Sequence, residues 1–307
     1  EGDTSIAVGL KKGSELREKI NEVIAGITEE QKSQLMEQMA TLASVGTVET
    51  LALTSEAPAT TNGVLKVAME CNYKPYNWTD VGTPTIGAVP ISSEGKDGQY
   101  ANGYDVQIAK IVCKALGGEP VAVKQSFSGL IDSLNNGQID LIIAGMSATP
   151  EREESVGFSD PYFIGYFGLF VKEGSPYQNA TKLSDFSGAT VLGQKDTMLD
   201  TVIDEIPGVV HKNPVDSVPT VFSNLLQGTC DAVTYNTENE KGYMAQNPGI
   251  VPIHFAEGEG FKQEVAANVG CRKGSDKLLK LIDKTLKGIS QEERDQMWDA
   301  CLDRQPA

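Results

Sequence analysis

The sequence has few of the residues that build metal sites or bind nucleic acids. It contains two histidines, His211 and His254, and its five cysteines show no CxxC or other zinc-ligand spacing. Lysine and arginine total 26 against 42 aspartate and glutamate residues, which gives a net charge of −16. Because phosphate binding needs clustered positive charge, we expect no nucleic-acid partner. We likewise expect no metal ion and no cofactor.

Long apolar runs are also missing, and none approaches the roughly 20 residues of a membrane-spanning helix. No secretory signal peptide is visible at Glu1, so an exported protein would have to be a processed or cloned piece. The odd number of cysteines leaves at least one thiol outside any disulfide. Cys271 and Cys301 are a candidate pair, but we expect mostly free thiols because spacing alone does not establish a bond.

The most informative stretch is residues 139–160, IDLIIAGMSATPEREESVGFSD. Its apolar run predicts a buried strand, and the threonine–proline pair after the loop is typical of a helix start. The helix would project Arg152 back toward the loop, where a guanidinium can bind a carboxylate through two hydrogen bonds. The alternative is a structural ion pair between Arg152 and a neighbouring acid, Glu153 or Glu154.

From residue 63 onward, strand-like and helix-like segments alternate, which predicts an α/β fold with a largely parallel sheet. Two extended crossings, near 164–167 and 262–266, divide this region into two lobes. We predict lobe 1 to comprise residues 63–164 plus 266–307, and lobe 2 to comprise residues 168–259. Ligands of such sheets bind in the cleft at the carboxyl ends of the strands.

The segments AGMSATPER and FSDPY (residues 144–152 and 158–162) resemble motifs of the solute-binding proteins for polar and basic amino acids that serve bacterial ABC importers. The resemblance covers roughly residues 63–305, with its motifs in order. It implies a two-lobed, periplasmic-binding-protein-like type II fold with two hinge crossovers. It also implies an extracytoplasmic location, tethered in the full-length protein, an amino-acid ligand and a membrane ABC permease as partner.

The N-terminal segment repeats the C-terminus. VGLKKGS at residues 8–14 matches VGCRKGS at residues 269–275, and both precede similar amphipathic helical patterns. Such self-similarity indicates duplication. We therefore predict residues 1–39 to be the tail of a preceding tandem binding domain, which packs loosely, docks on the main domain or swaps with a neighbouring molecule. The alternative is two unrelated amphipathic helices. Residues 40–62 have the composition of a linker.

The resemblance implies that Arg152 binds the ligand's carboxylate, helped by backbone N–H groups near Thr197. The carbonyl of Gly145 and the hydroxyl of Ser147 would accept hydrogen bonds from the ammonium group. The family usually has an acid where this chain has Asn236. The amine site is therefore either weaker than usual or completed by another residue.

That other residue would be Glu238. In the turn before Thr197, Asp196 stands where the resemblance implies a glycine. Asp196 and Thr197 are both candidates for the N-cap of the following helix.

Tyr73 and Phe127 match positions at which aromatic rings enclose the ligand's side chain, although core packing is the alternative for both. Glu70 matches a position at which an acid meets a cationic side chain, and its alternative is a solvated loop acid. An acid beside an aromatic face suits lysine or arginine. The remaining predicted site residues are Asn72, Met146 and Gln194.

We therefore expect a binding protein rather than an enzyme. The alternatives are a polar ligand such as glutamine, a ligand-sensing domain of a fused permease or receptor, and a dehydratase of prephenate-like acids on the same fold. The dehydratase would need a general acid in the cleft, for which Glu70 is the candidate.

Overall fold

The computed structural model describes residues 63–82, 84–92 and 98–306. The predicted tandem tail (1–39) and linker (40–62) lie outside the described residues and remain predictions. Within the described part, no helix combines the length and the apolar character that crossing a bilayer requires.

The first half of the described chain contains three parallel strands at one end of the main sheet and a separate four-stranded antiparallel sheet. β1 pairs in parallel with β6 on one side and β7 on the other. Both faces of β1 are largely buried, as expected for a parallel strand covered by helices. The elements are β1 (Val64–Met69), β2 (Asn72–Tyr73), β3 (Asn77–Val81), β4 (Val89–Pro90), β5 (Gln99–Asn102), α1 (Tyr104–Ala115), β6 (Glu119–Lys124), α2 (Leu130–Asn135) and β7 (Leu141–Ile142).

The second half begins with one turn of helix and a long strand. Single 3₁₀ turns lie at Phe127–Gly129, Leu183–Phe186, Val202–Glu205 and Thr237–Asn239. The other elements are α3 (Pro150–Glu153), β8 (Val156–Lys172), β9 (Thr190–Leu192), α4 (Met198–Thr201), β10 (Val210–His211), α5 (Val218–Gln227), β11 (Ala232–Asn236), α6 (Glu240–Gln246), β12 (Ile250–Ile253), β13 (Glu264–Arg272), α7 (Asp276–Lys287) and α8 (Gln291–Arg304).

The long strand β8 joins the two lobes. Its first part pairs antiparallel with β13, from Val156 opposite Arg272 to Tyr166 opposite Glu264. Its second part pairs antiparallel with β11 and β12. Among the described strands, the sheet order is therefore β10–β9–β11–β8–β13–β7–β1–β6, with β12 also on β8. Because β8 and β13 serve both lobes, the residue boundaries given above remain predictions.

Separate apolar cores lie on the two sides of this crossing. The lobe 1 core includes Met69, Val112, Leu134 and Ile282, and the lobe 2 core includes Phe170, Val202, Phe222 and Val233. This mixed α/β, two-lobed architecture confirms the predicted fold class. All five cysteines are buried and none forms a disulfide, so the candidate bond between Cys271 and Cys301 is not formed.

Candidate functional site

Side chains from both lobes surround a narrow cleft with a cavity volume of about 30 Å³. This volume is well below the roughly 300–1,000 Å³ that is usual for small-molecule sites, so the walls of the cleft lie close together. The cleft lies beyond the carboxyl ends of β1 and β7. Nine predicted site residues line it: Glu70, Tyr73, Phe127, Gly145, Ser147, Arg152, Gln194, Thr197 and Asn236. A larger open groove between α1 and α8 lies elsewhere and contains no buried charged side chain.

Local sequence places Arg152 at the cleft. Thr149 is the N-cap of α3, and its hydroxyl accepts a hydrogen bond from the Arg152 backbone N–H at 3.3 Å. The guanidinium lies over the Phe127 ring, 5.4 Å from its centroid, in a cation–π arrangement. The predicted helix start is therefore confirmed, although the helix is only one turn long.

The Arg152 guanidinium binds backbone oxygens instead of acids. It donates to the Ser147 carbonyl at 2.8 Å and to the Asp196 carbonyl at 2.6 Å, the latter across the cleft. Within the described residues, no acid lies at ion-pair distance, so the alternative pairing with Glu153 or Glu154 is not formed. Burial lowers the pKa of Arg152, and nearby acids oppose this shift. Arg152 is thus a cation at the cleft wall that lacks a carboxylate partner.

On the opposite wall, Asp196 adopts a left-handed backbone conformation with φ of +61°. Aspartate tolerates this region better than most residues, which is consistent with a position where the resemblance implies a glycine. Thr197 is the N-cap of α4: its hydroxyl accepts from the Leu199 N–H at 3.2 Å and donates to the Gln194 carbonyl at 2.7 Å. The backbone N–H of Thr197 has no acceptor among the described residues.

Glu70 lies directly after β1 and is only 4 % exposed. Its Oε1 accepts a hydrogen bond from the Gln194 amide at 2.9 Å, which links the two lobes. Burial raises the pKa of Glu70 to about 7, and the Gln194 hydrogen bond partly offsets this. The alternative of a solvated loop acid is therefore wrong, and no cation within the described residues pairs with this acid.

Tyr73 and Asn236 form a second link between the lobes. The Tyr73 ring stacks on Tyr76 at 4.6 Å, and its hydroxyl donates to Asn236 Oδ1. Burial raises the pKa of Tyr73 well above its usual value, so the hydroxyl stays neutral. The Asn236 Nδ2 atom is buried and has no acceptor among the described residues.

Glu238 does not line this cleft. Its carboxylate accepts a hydrogen bond from the Tyr166 N–H at 2.6 Å, on the crossing part of β8. A Cβ atom on Gly165 would lie 2.7 Å from this carboxylate, so a larger residue there would require the Glu238 side chain to move. Glu238 therefore belongs to the hinge, and Asn236 is the residue that faces the cleft.

Two predicted residues lie outside the cleft lining. Met146 is 1 % exposed and packs in the lobe 1 core. Its neighbours Gly145 and Ser147 face the cleft instead. Asn72 pairs with Trp78 in the β2–β3 hairpin and lines a separate groove beside Lys74 and Lys124. Neither placement was evident from local sequence.

Sequence reasoning missed four apolar cleft residues: Phe167, Met198, Leu199 and Val265. Phe167 and Val265 lie on the crossing strands, where the sheet register decides which side chains face the cleft. Met198 and Leu199 follow the N-cap Thr197. The sequence offered one indication that these four residues could face the cleft, namely that they lie near the predicted crossings or the predicted helix start.

Comparison with known proteins places this geometry in a family. A family model described as bacterial extracellular solute-binding proteins, family 3, matches residues 84–299. This is well over half of the chain, which therefore belongs to that family.

Two curated relatives are named as binding proteins. The chain is 28 % identical over 246 residues to a probable histidine-binding protein of Campylobacter jejuni subsp. jejuni serotype O:2, covering 80 % of this chain and 85 % of the relative. It is 32 % identical over 202 residues to the arginine-binding extracellular protein ArtP of Bacillus subtilis, covering 65 % and 76 %.

A solved structure supports the fold. An amino acid ABC transporter substrate-binding protein from Streptococcus pneumoniae, bound to L-arginine, superposes with a TM-score of 0.65 at 24 % identity. The alignment covers 82 % of this chain and 97 % of that one. The predicted periplasmic-binding-protein-like type II fold is thus confirmed.

Proposed function

We propose that this protein is the extracytoplasmic amino-acid-binding component of an ABC importer, and that its ligand is a basic amino acid, lysine or arginine. The observation that carries the proposal is the pair of unmatched charges in the cleft, Arg152 and Glu70. Burying an isolated charge costs several kcal/mol unless a partner compensates it. A basic amino acid brings both partners, a carboxylate for Arg152 and a side-chain cation for Glu70.

The carboxylate site would consist of Arg152 and the backbone N–H of Thr197. A carboxylate replaces the Asp196 carbonyl as the acceptor on the guanidinium and gains charge-assisted hydrogen bonds. Because every α-amino acid carries this carboxylate, these contacts provide affinity common to all of them.

The ammonium site would consist of acceptors without a formal charge. The Gly145 carbonyl, the Ser147 hydroxyl and Asn236 Oδ1 line the cleft, and the Ser147 hydroxyl has no hydrogen bond within the described residues. This site compensates the ammonium charge less strongly than one with an acid would. We therefore assign most of the binding energy to the carboxylate and the side chain.

The side-chain site would be formed by Glu70 together with the aromatic rings of Tyr73 and Phe127. A carboxylate and aromatic faces together favour a cation over a neutral side chain. The name of the B. subtilis relative, an arginine-binding protein, agrees with this assignment.

Glutamine is the second candidate ligand, and one contact favours it. The Gln194 side chain, a primary amide, already donates to Glu70 at 2.9 Å. A ligand amide placed there would make the same hydrogen bond. With a pKa of about 7, Glu70 is partly neutral at physiological pH, which reduces its preference for a cation.

Ligand binding would close the two lobes about β8 and β13, by shifting the population from open to closed forms. The closed form would be the one that the membrane permease recognises. A tether, a fused permease or receptor, and a tandem copy ahead of residue 40 stay predictions.

An enzyme on the same fold is the competing class. Burial raises the pKa of Glu70 to about 7, which is suitable for a general acid. Release of water and carbon dioxide from prephenate by the purified protein would support this class, whereas binding without turnover supports transport.

Calorimetry with matched ligands tests the proposal. Arginine is compared with citrulline, which lacks the side-chain charge, and with agmatine, which lacks the carboxylate. We expect tight binding of arginine or lysine, weaker binding of citrulline and glutamine, and no measurable binding of agmatine. Equal binding of citrulline and arginine would shift the assignment to glutamine-like ligands. No binding of any of the twenty amino acids at millimolar concentration would refute the amino-acid function.

A further inference from the structure

A buried acid, Asp105 on α1, lies behind the cleft and does not line it. It is 0 % exposed and has no cationic partner within the described residues. Its Oδ1 accepts a hydrogen bond from the Tyr162 hydroxyl at 2.6 Å, and its Oδ2 accepts one from Asn77 Nδ2 at 2.7 Å. Both carboxylate oxygens are therefore occupied by neutral donors.

The first branch of this network ends at the backbone next to Glu70. The Cys71 N–H donates to Asn77 Oδ1 at 2.7 Å. Because a backbone N–H can only donate, the Asn77 amide must present its oxygen to Cys71 and its NH₂ group to Asp105. Asp105 Oδ2 is thus required to accept.

The second branch ends at the loop that carries Ser147. The Gly145 N–H donates to the Tyr162 hydroxyl oxygen at 3.0 Å. The Tyr162 proton must then point to Asp105, whose Oδ1 is also required to accept. Two backbone N–H groups therefore fix the direction of every hydrogen bond, and only an ionised carboxylate satisfies both branches.

Both branches end at a residue with a positive φ. Cys71 has φ of +56°, which residues other than glycine rarely adopt, and it directly follows Glu70. Gly145 has φ of +61°, and a Cβ atom there would lie 3.0 Å from the Tyr73 ring. The first hydrogen bond therefore holds a turn that a cysteine disfavours, and the second holds a turn that a glycine permits.

We propose that Asp105 is a positioning residue for ligand binding, which fixes the Glu70 turn and the Gly145 turn relative to each other without touching the ligand. This assignment of a binding role rests on the proposed function. One carboxylate thereby sets the spacing between the acid for the ligand's side chain and the acceptors for its ammonium group.

The cost of burying Asp105 supports a positioning role over a purely stabilising one. Burial raises its pKa to about 6, while the hydrogen bonds from Tyr162 and Asn77 act in the opposite direction. A buried carboxylate without a cation generally destabilises a fold compared with an apolar side chain of similar size.

A charge swap tests the proposal. Asp105→Asn directs an amide NH₂ group at one of the two donors, and Asn77→Asp places two carboxylates face to face. We expect each single variant to bind the ligand about tenfold to a hundredfold more weakly, since a buried hydrogen-bonding group loses its partner. The double variant Asn77→Asp/Asp105→Asn restores the pattern: the new carboxylate at position 77 accepts from Cys71 and from the new amide at position 105, whose oxygen accepts from Tyr162.

We expect the double variant to recover affinity to within about threefold of the original protein, because the hydrogen-bond directions are again satisfied. Amide hydrogen exchange of the ligand-free protein provides a readout that does not depend on the ligand. The Cys71 and Gly145 N–H groups should exchange slowly in the original and double variants and faster in each single variant.

Tyr162→Phe is the milder variant if a single variant fails to fold. It removes only the second branch, so we expect faster exchange at Gly145 with Cys71 unchanged. The proposal is overturned if the single variants bind normally, or if the swap restores the melting temperature without restoring affinity. If no amino acid binds the original protein, the proposed function fails, and the exchange pattern still decides whether Asp105 holds the two turns.

Discussion

The two walls of the cleft differ in the chemistry that they present. Lobe 1 presents one acid, one cation and two aromatic rings, whereas lobe 2 presents only neutral side chains together with backbone groups: Gln194, Thr197, Met198, Leu199 and Asn236. The lobe 1 turns are also tied to α1 through Asp105. We infer from this difference that lobe 1 determines which charges a ligand carries, and that lobe 2 contributes mainly to closure.

The largest expected effect comes from removing the cation of lobe 1. We expect Arg152→Ala to weaken binding of every amino acid by about 2–5 kcal/mol, since the ligand's carboxylate loses a buried charged partner. In contrast, Gln194→Ala on lobe 2 should cost about 1 kcal/mol, because it removes one neutral hydrogen bond. Both affinities are measured by calorimetry.

Arg304→Ala is the matched control for the Arg152 variant, because Arg304 is exposed on α8, away from the cleft. It should bind like the original protein. A loss in Gln194→Ala as large as that in Arg152→Ala would break the proposed division between the lobes.

The next effect comes from the acid of lobe 1. We expect Glu70→Gln to weaken lysine or arginine binding by about 1.5–3 kcal/mol, while glutamine binding changes by less than about 1 kcal/mol. The new amide oxygen still accepts from Gln194, so the link between the lobes persists. Glu119→Gln, an exposed position in lobe 1, is the control. An equal loss for both ligands would show that Glu70 does not select charge.

Affinity for a basic amino acid should also depend on pH. The pKa of Glu70 is raised to about 7 without ligand, and a bound cation favours the ionised form and lowers that pKa. Binding therefore releases a proton below pH 7, and affinity should fall by up to about tenfold per unit as the pH drops from 7 toward 5. The dependence should flatten in Glu70→Gln. Calorimetry in buffers of different ionisation enthalpy measures the released proton directly.

A smaller effect is expected from placing an acid at position 236 on lobe 2, where the resemblance implies one. Asn236→Asp should tighten binding of α-amino acids by about 1 kcal/mol, because a charged acceptor binds ammonium more strongly than an amide. The ligand-free protein should melt at a lower temperature, since the new charge is buried. Asn213→Asp, on the exposed surface of lobe 2, is the control. Unchanged affinity would place the ligand's ammonium away from Asn236.

The smallest effect is expected from replacing Asp196 with glycine, because the backbone carbonyl of Asp196, not its side chain, contacts Arg152. Asp196→Gly should change the free energy of unfolding by less than about 0.5 kcal/mol, as the strain that glycine relieves offsets the entropy that it adds to the unfolded chain. Asp196→Val should cost about 1–2 kcal/mol, because a β-branched residue fits a positive φ poorly. Urea denaturation measures both. A large loss in Asp196→Gly would assign a role to the carboxylate.

The sequence predicted the fold from local strand and helix patterns, whereas most cleft residues were predicted from the resemblance to solute-binding proteins. Thr149 is the predicted N-cap of α3, which follows β7 after a short loop. Nine of the predicted site residues line one cleft. Phe167 and Val265 were missed because they depend on the register between β8 and β13. Met146 and Asn72 were misplaced because side-chain direction in short loops is not periodic.

The Asp105 network was also invisible in the sequence. Its members, Asn77, Asp105, Gly145 and Tyr162, come from separate elements and meet only through tertiary packing. The local pattern shows only that Asp105 is a charged residue on the otherwise apolar side of α1. They do not indicate which donors will face it.

The burial of the cysteines has a practical consequence. All five are buried, and burial raises the pKa of Cys230 to about 11 and those of Cys113, Cys271 and Cys301 to about 12. Thiolate is the reactive form, so we expect these four thiols to react slowly with maleimides at neutral pH, and Cys71 is shielded by its burial. The natural chain thus behaves as a cysteine-free background for labelling. Exposed cysteines introduced at Gln138 in one lobe and Gln227 in the other would accept a pair of fluorophores, and energy transfer between them would follow opening and closing in single molecules.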